Sequence, residues 1–226
     1  MRLTYYGHAC FSVEVAGKAL LFDPFITPNP LAKEIDIATI AADFILVSHG
    51  HGDHVADVIA IAQRTGATVI APFEVGEWFT KQGVKNVQSM NHGGSATMPF
   101  GRVKLTAAIH SSSMTDGSYG GNPCGFVVES SDGNFYYSGD TALTLDMKLI
   151  AEQTELAFAV LPIGDFFTMG IDDALRAADL VGTNQIVGVH YDTFPPIALN
   201  KEAALTAARA AGKSLFLPKI GETIDL

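Results

Sequence analysis

The sequence predicts an α/β domain in which two mixed β-sheets pack face to face with helices on their outer sides. Three observations carry that expectation. Apolar, strand-like stretches open each half of the chain and helical stretches follow them. No Pro- or Ser-rich linker separates the halves. At 226 residues, 48% of them hydrophobic, the chain is long and apolar enough to bury a substantial core. One domain spanning 1–226 is therefore expected.

The elements follow in order. Leu3-Thr-Tyr-Tyr opens a strand, Phe11-Ser-Val-Glu-Val alternates apolar and polar, and Lys18 to Phe22 continues as a buried strand ending at Asp23-Pro24. Two prolines between 25 and 36, with Pro24 just before them, mark an irregular loop beside a cleft. Phe44 to Val47 is a short strand. From Val55, apolar residues at 55, 58, 59 and 62 have the period of an amphipathic helix, closed by Gly66. Thr68 to Ala71 is a strand, and Glu74 to Gln82 a helix burying Val75, Trp78 and Phe79. Val87 to Met90 and Val103 to Ala108 are strands around two Gly-containing turns. Residues 111–123, rich in Ser, Gly and Asn, form a mobile rim. Phe126 to Glu129 and Phe135 to Ser138 make a hairpin across Asp132-Gly133. Helices at 143–152 and 171–181 flank a strand at 158–162. Ile186 to Val189 leads into His190, a helix covers 200–211, and Leu215-Phe-Leu closes the chain.

Charge narrows the partners. Fourteen Lys and Arg against 24 Asp and Glu give a net charge of −10, with no basic cluster, which argues against a nucleic-acid partner. A small-molecule substrate is expected instead, and self-association into a homo-oligomer stays open. Cys10 and Cys124 are the only cysteines, too few for a disulfide framework, and read as free thiols of a reducing compartment. The N-terminus lacks an apolar signal core and no stretch approaches the roughly 20 apolar residues of a membrane span. A cytoplasmic protein without a membrane segment is the expectation.

Ser48 to His54 reads S-H-G-H-G-D-H on a strand-to-helix turn. His49, His51, Asp53 and His54 are metal-competent, and Gly50 and Gly52 give the backbone the freedom to gather alternate side chains. His110, Asp140 and His190 each follow an apolar stretch in the same way, so four strand ends opening on one edge would bring all seven together. His49, His51 and His110 are assigned to one ion, Asp53, His54 and His190 to a second, and Asp140 lies between. Two divalent ions at ~3.5–4 Å, zinc first and manganese, nickel or iron after it, would hold a bridging hydroxide and polarise a carbonyl or phosphoryl group. Asp53 and His190 are the residues expected to act in catalysis, Asp53 orienting the nucleophile and moving its proton.

H-x-H-x-D-H at 49–54, His110, Ser-Gly-Asp140-Thr and His190 resemble the metallo-β-lactamase superfamily, in ligand order and over most of the chain. The resemblance implies a four-layer αββα sandwich with a metal site between its sheets. Gly7-His8-Ala9, Phe22-Asp23-Pro24, Ala108 to Ser112 and His190 to Pro195 are similar to metal-dependent hydrolases related to L-ascorbate-6-phosphate lactonase. That likeness implies hydrolysis of a small lactone, ester or phosphodiester. Neither cysteine occupies the ligand position used by lactam-hydrolysing members. His51 stands where diiron flavoproteins of the superfamily carry a carboxylate, and Ile-His-Ser-Ser-Ser replaces the glyoxalase-type pattern at the third histidine.

Four residues border this set. His8 resembles a position facing the active site and is assigned to substrate binding, as is Tyr191, a donor to a developing oxyanion. Asp23 is expected to orient a ligand histidine through hydrogen bonds. His92 reads as a turn residue. The alternatives are a superfamily nuclease or phosphodiesterase acting on RNA or nucleotides, which needs a basic track, and a metal-binding regulator without turnover. No G-x-S-x-G elbow is present to support serine-nucleophile hydrolysis.

Overall fold

Two seven-stranded sheets, built from alternating side chains, form the middle of the molecule in a computed structural model that describes residues 1–226. The first contains β1 (Arg2–Gly7), β2 (Cys10–Val15), β3 (Lys18–Phe22), β4 (Phe44–Leu46), β5 (Thr68–Pro72) and β6 (Val87–Met90). The second contains β7 (Ser95–Met98), β8 (Gly101–Ala107), β9 (Cys124–Ser130), β10 (Gly133–Tyr137), β11 (Phe158–Pro162), β12 (Gln185–Val189) and β13 (Ser214–Phe216). A last strand, β14 (Thr223–Asp225), returns to pair with β1 at the edge of the first sheet.

Both sheets share one pattern. β1, β2 and β3 are antiparallel and β3 to β6 parallel; β7 to β10 are antiparallel and β10 to β13 parallel. Helices α1 (Gly52–Val55), α2 (Val58–Thr65) and α3 (Phe73–Lys81) cover the first sheet; α4 (Lys148–Ala151), α5 (Ile171–Val181) and α6 (Lys201–Ala210) cover the second.

Strand alternation sorts the core into three layers. Phe22 of β3 and Phe135 and Tyr137 of β10 meet between the sheets, whereas Leu21 packs under α2 and α3, and Tyr136 packs under α4 and α5. Four layers result, the αββα arrangement. A one-residue slip in β10 would push Tyr136 into the inter-sheet core, so burial on both faces holds the register.

This topology aims the chemistry. β1 and β3 run the same way because β2 is antiparallel to both, and β4 is parallel to β3. β8, β10 and β12 likewise share one direction in the second sheet. Their C-terminal ends carry His8, Asp23, the 48–54 turn, His110, Asp140 and His190. Crevices at such ends are where α/β proteins bind ligands.

Several expectations are corrected. The helix predicted from Val55 is interrupted at Ala56–Asp57, giving α1 and α2. Asp57 is drawn into other work: its carboxylate accepts from the backbone N–H groups of Ile26 (2.6 Å) and Thr27 (2.9 Å), tying down the Pro-rich loop. The 143–152 helix shrinks to a 3-10 turn at Leu145–Met147 followed by α4, because Thr144 takes an extended conformation and its hydroxyl accepts from Asp146 N–H. The predicted rim at 111–123 is anchored rather than loose. Met114 is buried, Ser113 bridges to Tyr119, and Trp78 Nε1–H donates to Asp116 at 2.8 Å. β7 and β14 are short and half exposed, and nothing in their apolar pattern marked them.

Candidate metal centre

The 48–54 turn is the hub. Gly50 leaves room for the 111–123 loop to close over it: a Cβ there would lie 2.5 Å from Met114 Sδ and 3.0 Å from the Ser113 carbonyl oxygen. Ser112 Oγ completes that contact, accepting from Gly50 N–H at 3.1 Å and donating to the Gly120 carbonyl at 2.8 Å. Gly52 has no comparable constraint, since its nearest neighbour would be 3.7 Å away, so only Gly50 is sterically required.

The seven residues singled out from the sequence converge. His49, His51 and His110 offer nitrogen atoms within 4.8 Å of one another, with His49 Nε2 and His51 Nδ1 only 2.9 Å apart. Asp53, His54 and His190 form a second group of the same kind, joined by His8. Asp140 lies between the groups: its Oδ2 is 3.0 Å from His190 Nε2, 3.2 Å from His54 Nε2, 3.7 Å from His110 Nε2 and 3.9 Å from His49 Nε2. The Asp140 turn is locked to the His110 strand end by Ile109 N–H, which donates to Thr141 Oγ1 at 2.9 Å, and by Ala142 N–H, which donates to the Ile109 carbonyl. A cleft opens over the groups, lined by Phe25, His51, Asp53, His110, Asp140, Phe167, His190 and Phe194 among others.

Residues 2–190 match the family described as the beta-lactamase superfamily domain. The chain belongs to the metallo-β-lactamase superfamily. A UPF0173 metal-dependent hydrolase of Flavobacterium johnsoniae is 50% identical over 226 residues, and one of Methylacidiphilum infernorum 49% identical over 226, each aligned over 100% of both chains. Igni18, a metallo hydrolase of the archaeon Ignicoccus hospitalis, superposes with a TM-score of 0.89 at 35% identity, covering 99% of this chain and 97% of the other. An isothiocyanate hydrolase from Delia radicum gut bacteria shares the fold, with a TM-score of 0.78 at 21% identity over 100% of this chain and 99% of its own. The chain is accordingly a metal-dependent hydrolase, and its fold is the metallo-β-lactamase sandwich.

Beneath the metallo-β-lactamase motif lies a buried carboxylate, Asp23. Its Oδ2 accepts from His54 Nδ1–H (2.9 Å), Ser48 Oγ–H (2.6 Å) and the Tyr137 hydroxyl (2.6 Å), and its Oδ1 accepts from Ser48 N–H (2.7 Å). Ser48 Oγ in turn accepts from His49 Nδ1–H at 2.9 Å. Asp23 and Ser48 thus hold both rings with their Nε2 lone pairs toward Asp140, the support that ligating imidazoles need. Ser48, Thr141 and Tyr137 escaped the sequence reading. A hydroxyl inside an apolar strand carries no periodic signal, and only the assembled sheet edge gives it a partner.

His8 is repositioned by the structure. It is 1% exposed, with Nε2 3.0 Å from Asp53 Oδ2 and Nδ1 2.9 Å from Thr193 Oγ1. Burial, reinforced by the His190 charge, pushes its pKa down to about 4, so the ring is neutral near pH 7. The carboxylate accepts only, so Nε2–H donates to Asp53 and Nδ1 accepts from Thr193. Both nitrogens are engaged, which removes His8 from direct substrate contact and makes it the group that orients Asp53. Tyr191 is also corrected: it is 5% exposed, stacks on Tyr5 at 6.2 Å and does not line the cleft. His92 is a turn residue with Nε2–H donating to the Pro123 carbonyl at 2.7 Å.

His8, Asp23 and His190 hold positive φ angles of 55°, 41° and 58°. Non-glycine residues rarely adopt that region, and each costs on the order of 1 kcal/mol or more. The hydrogen bonds just described, with His190 N–H donating to the His8 carbonyl at 2.8 Å, hold them there.

The donor set fits divalent cations. His54 Nε2, Asp140 Oδ1 and His190 Nδ1 are buried without hydrogen-bond partners. His54 spends its Nδ1–H on Asp23, so Nε2 is the atom left to face the Asp140 carboxylate 3.2 Å away, and that contact needs positive charge between the two, from a proton or from a metal ion. Burial opposes a charged His54, yet Asp140, Asp23 and Asp53 drive its pKa well above the usual value. Burial also opposes ionised Asp140, yet His190 and His54 hold it well below the carboxylate range. Imidazole and carboxylate donors converging on missing positive charge are what zinc, manganese, iron or nickel accept.

Proposed function

We propose that the chain is a dinuclear hydrolase that cleaves a small lactone, ester or phosphodiester, within one catalytic domain spanning 1–226. His49, His51 and His110 would hold one divalent ion, and Asp53, His54 and His190 a second, with Asp140 shared. The observation that carries this reading is the place of Asp140 Oδ2 within 3.9 Å of a nitrogen from both groups. Bound ions supply Lewis acidity and a nucleophile at neutral pH.

The chain's own residues supply orientation and proton handling. Asp53 is the ionisable group of the second trio with its side chain 27% exposed to the cleft. Burial favours its neutral form, but the His54 charge and the His8 hydrogen bond hold it ionised well below the usual range. It can take a proton from the attacking nucleophile and hold it for the leaving group, while Thr193–His8 keeps the carboxylate in place. His190 sets the far wall of the same pocket and is one of the site groups that meets both Asp53 and Asp140.

A small molecule suits the cleft better than RNA, since none of its lining residues is Lys or Arg. Zinc is the first choice, with manganese, nickel and iron next on donor type. No helix is long and apolar enough to cross a membrane, and the unpaired, buried Cys10 and Cys124 support residence in the reducing cytoplasm.

Elemental analysis of the purified protein, paired with a panel of lactones, esters and phosphodiesters, tests the reading. Two equivalents per chain at saturation and turnover of at least one class are expected. Asp140→Asn should lose tight binding of both equivalents and turnover while keeping the fold. Saturation at one equivalent, or full turnover by Asp140→Asn, overturns it.

A further inference from the structure

Loop 163–170 contributes Phe167 to the lining of the cleft and presents two adjacent aromatic rings to solvent. Phe166 is 71% exposed and Phe167 50% exposed, packed edge to face at 4.7 Å. Soluble proteins do not ordinarily expose neighbouring phenylalanines without use for them. The loop is also held under strain: Asp165 and Phe166 are consecutive non-glycine residues with φ of 61° and 57°.

Its anchors explain why the strain persists. Gly164 bridges to Gly170, Asp165 N–H donates to the Met169 carbonyl at 3.1 Å, and Met169 N–H donates to the Thr141 carbonyl at 3.0 Å. The last bond fixes the loop to the residue after Asp140, so Phe167 keeps its distance from the proposed reacting centre. Phe25 and Phe194 line the same cleft, with ring centroids 6.5 Å apart, each braced edge-on by His8 at 5.5 Å. Pro196 completes the apolar lining. The cleft has room for a ring: its volume is about 660 Å³. Its polar residues, His51, Asp53, His110, Ser111, Asp140 and His190, cluster with the candidate metal groups, and no Lys or Arg is present to meet an anionic arm.

We propose that this cleft selects an uncharged substrate whose non-reacting part is an aromatic or similarly flat apolar group, seated between Phe167 and the Phe25–Phe194 wall. The inference rests on the hydrolase reading and narrows it: a sugar phosphate or other arm charged away from the scissile bond is disfavoured. Phe167 is the specificity-determining residue, touching the substrate and taking no part in bond breaking. Phe166 positions it.

The test uses the metal-loaded enzyme and three esters sharing an acetyl group, with 2-phenylethyl, ethyl and 2-phosphoethyl alcohol parts, and the matching lactones with phenyl, methyl and phosphomethyl substituents. kcat/KM is expected to be at least tenfold higher for the phenyl member than for the alkyl one, and lowest for the phosphorylated one. Phe167→Ala should erase most of that preference by raising KM for the phenyl substrate far more than for the ethyl ester, with the metal content of the protein as in the wild type. As a readout independent of turnover, saturation-transfer NMR should detect 2-phenylethanol but not ethanol on the wild type, and neither on Phe167→Ala. No hydrolysis of any ester, lactone or phosphodiester sinks the hydrolase reading itself. Hydrolysis without a phenyl preference, or a preference that Phe167→Ala leaves intact, overturns the substrate class alone.

Discussion

The Tyr137 hydroxyl, carried by the second sheet, donates a 2.6 Å hydrogen bond to Asp23 at the end of β3 in the first. Tyr137 and Asp23 are both 0% exposed, so this bond stitches the two sheets together directly beneath the candidate metal centre. Removing it leaves a buried carboxylate with one donor fewer, which costs roughly 1–3 kcal/mol. Tyr137→Phe should therefore lower the melting temperature by several degrees, given about 2–4 °C per kcal/mol at this size. Because Asp23 also holds His54, metal affinity should fall by roughly 10–100-fold. Calorimetry of metal-free and metal-loaded protein checks both. An unchanged metal affinity would show that Asp23 holds His54 without help from Tyr137.

Gly50 and Gly52 are expected to behave differently although they sit in the same motif. Gly50→Ala places a Cβ 2.5 Å from Met114 Sδ and 3.0 Å from the Ser113 carbonyl. The methionine can swing away, but the backbone carbonyl cannot, so overpacking of about 1–3 kcal/mol is expected. Gly52→Ala meets nothing closer than 3.7 Å at the start of α1 and should leave stability within about 0.5 kcal/mol of wild type. Urea unfolding of the two variants makes the comparison. Met114→Ala in the Gly50→Ala background should recover part of the loss, not all of it.

How much of this was legible beforehand depends on the range of the interaction. Strand β2 announces itself because its alternation reports which face is buried, and β3 and β10 because each is a short apolar run bounded by turn residues. His49 to His54 are legible as a group because four donors lie within six residues, and His110, Asp140 and His190 because each ends an apolar run. Ser48, Thr141 and Thr193 were not, since a hydroxyl becomes a positioning group only when a partner such as Asp23, 25 residues away, or His8, 185 residues away, arrives in space. The same holds for the inward turn of His8. A left-handed backbone at a non-glycine residue leaves no trace in composition, so its side chain was assigned to substrate rather than to Asp53. Phe166 and Phe167 carry no periodic signal in the sequence, and only the strained loop lifts them into solvent.

Asp57 illustrates a second long-range demand. Within a helical stretch it would be an indifferent residue, yet its carboxylate carries the Ile26 and Thr27 N–H groups and its own N–H donates to the Pro24 carbonyl at 3.0 Å. Asp57→Ala would orphan the Ile26 N–H in a buried setting, at a cost of roughly 1–3 kcal/mol. The loop beside Asp23 and Phe25 should then open locally. Hydrogen exchange at Ile26 and Thr27 is expected to accelerate well beyond that of β3, and Asp57→Asn, which keeps one acceptor oxygen, should restore part of the protection. Equal protection in all three proteins would remove Asp57 from the account of why α1 and α2 are separate.

The two thiols give a prediction in pH. Cys10 and Cys124 are fully buried, and burial pushes both pKa values well above normal. A group whose folded pKa is raised leaves stability untouched below its unfolded pKa, about 8.5 for a thiol, and withdraws it as pH climbs beyond that value. Each such thiol contributes a slope of about 1.4 kcal/mol per pH unit once the unfolded chain ionises. Buried Tyr5, Tyr136 and Tyr137, also raised by burial, join from about pH 10, as does Tyr191, raised to about 12. Urea midpoints of metal-free protein should thus be flat from these groups up to about pH 8 and fall steeply above pH 9. Cys10→Ala with Cys124→Ala should flatten the fall between about pH 9 and 10 and leave the tyrosine-driven fall above it. Native protein at pH 8 should also resist a thiol-labelling reagent, with two thiols appearing only on unfolding. Rapid labelling of either cysteine in the native state would mean that the strand ends around the metal centre open far more readily than their packing implies.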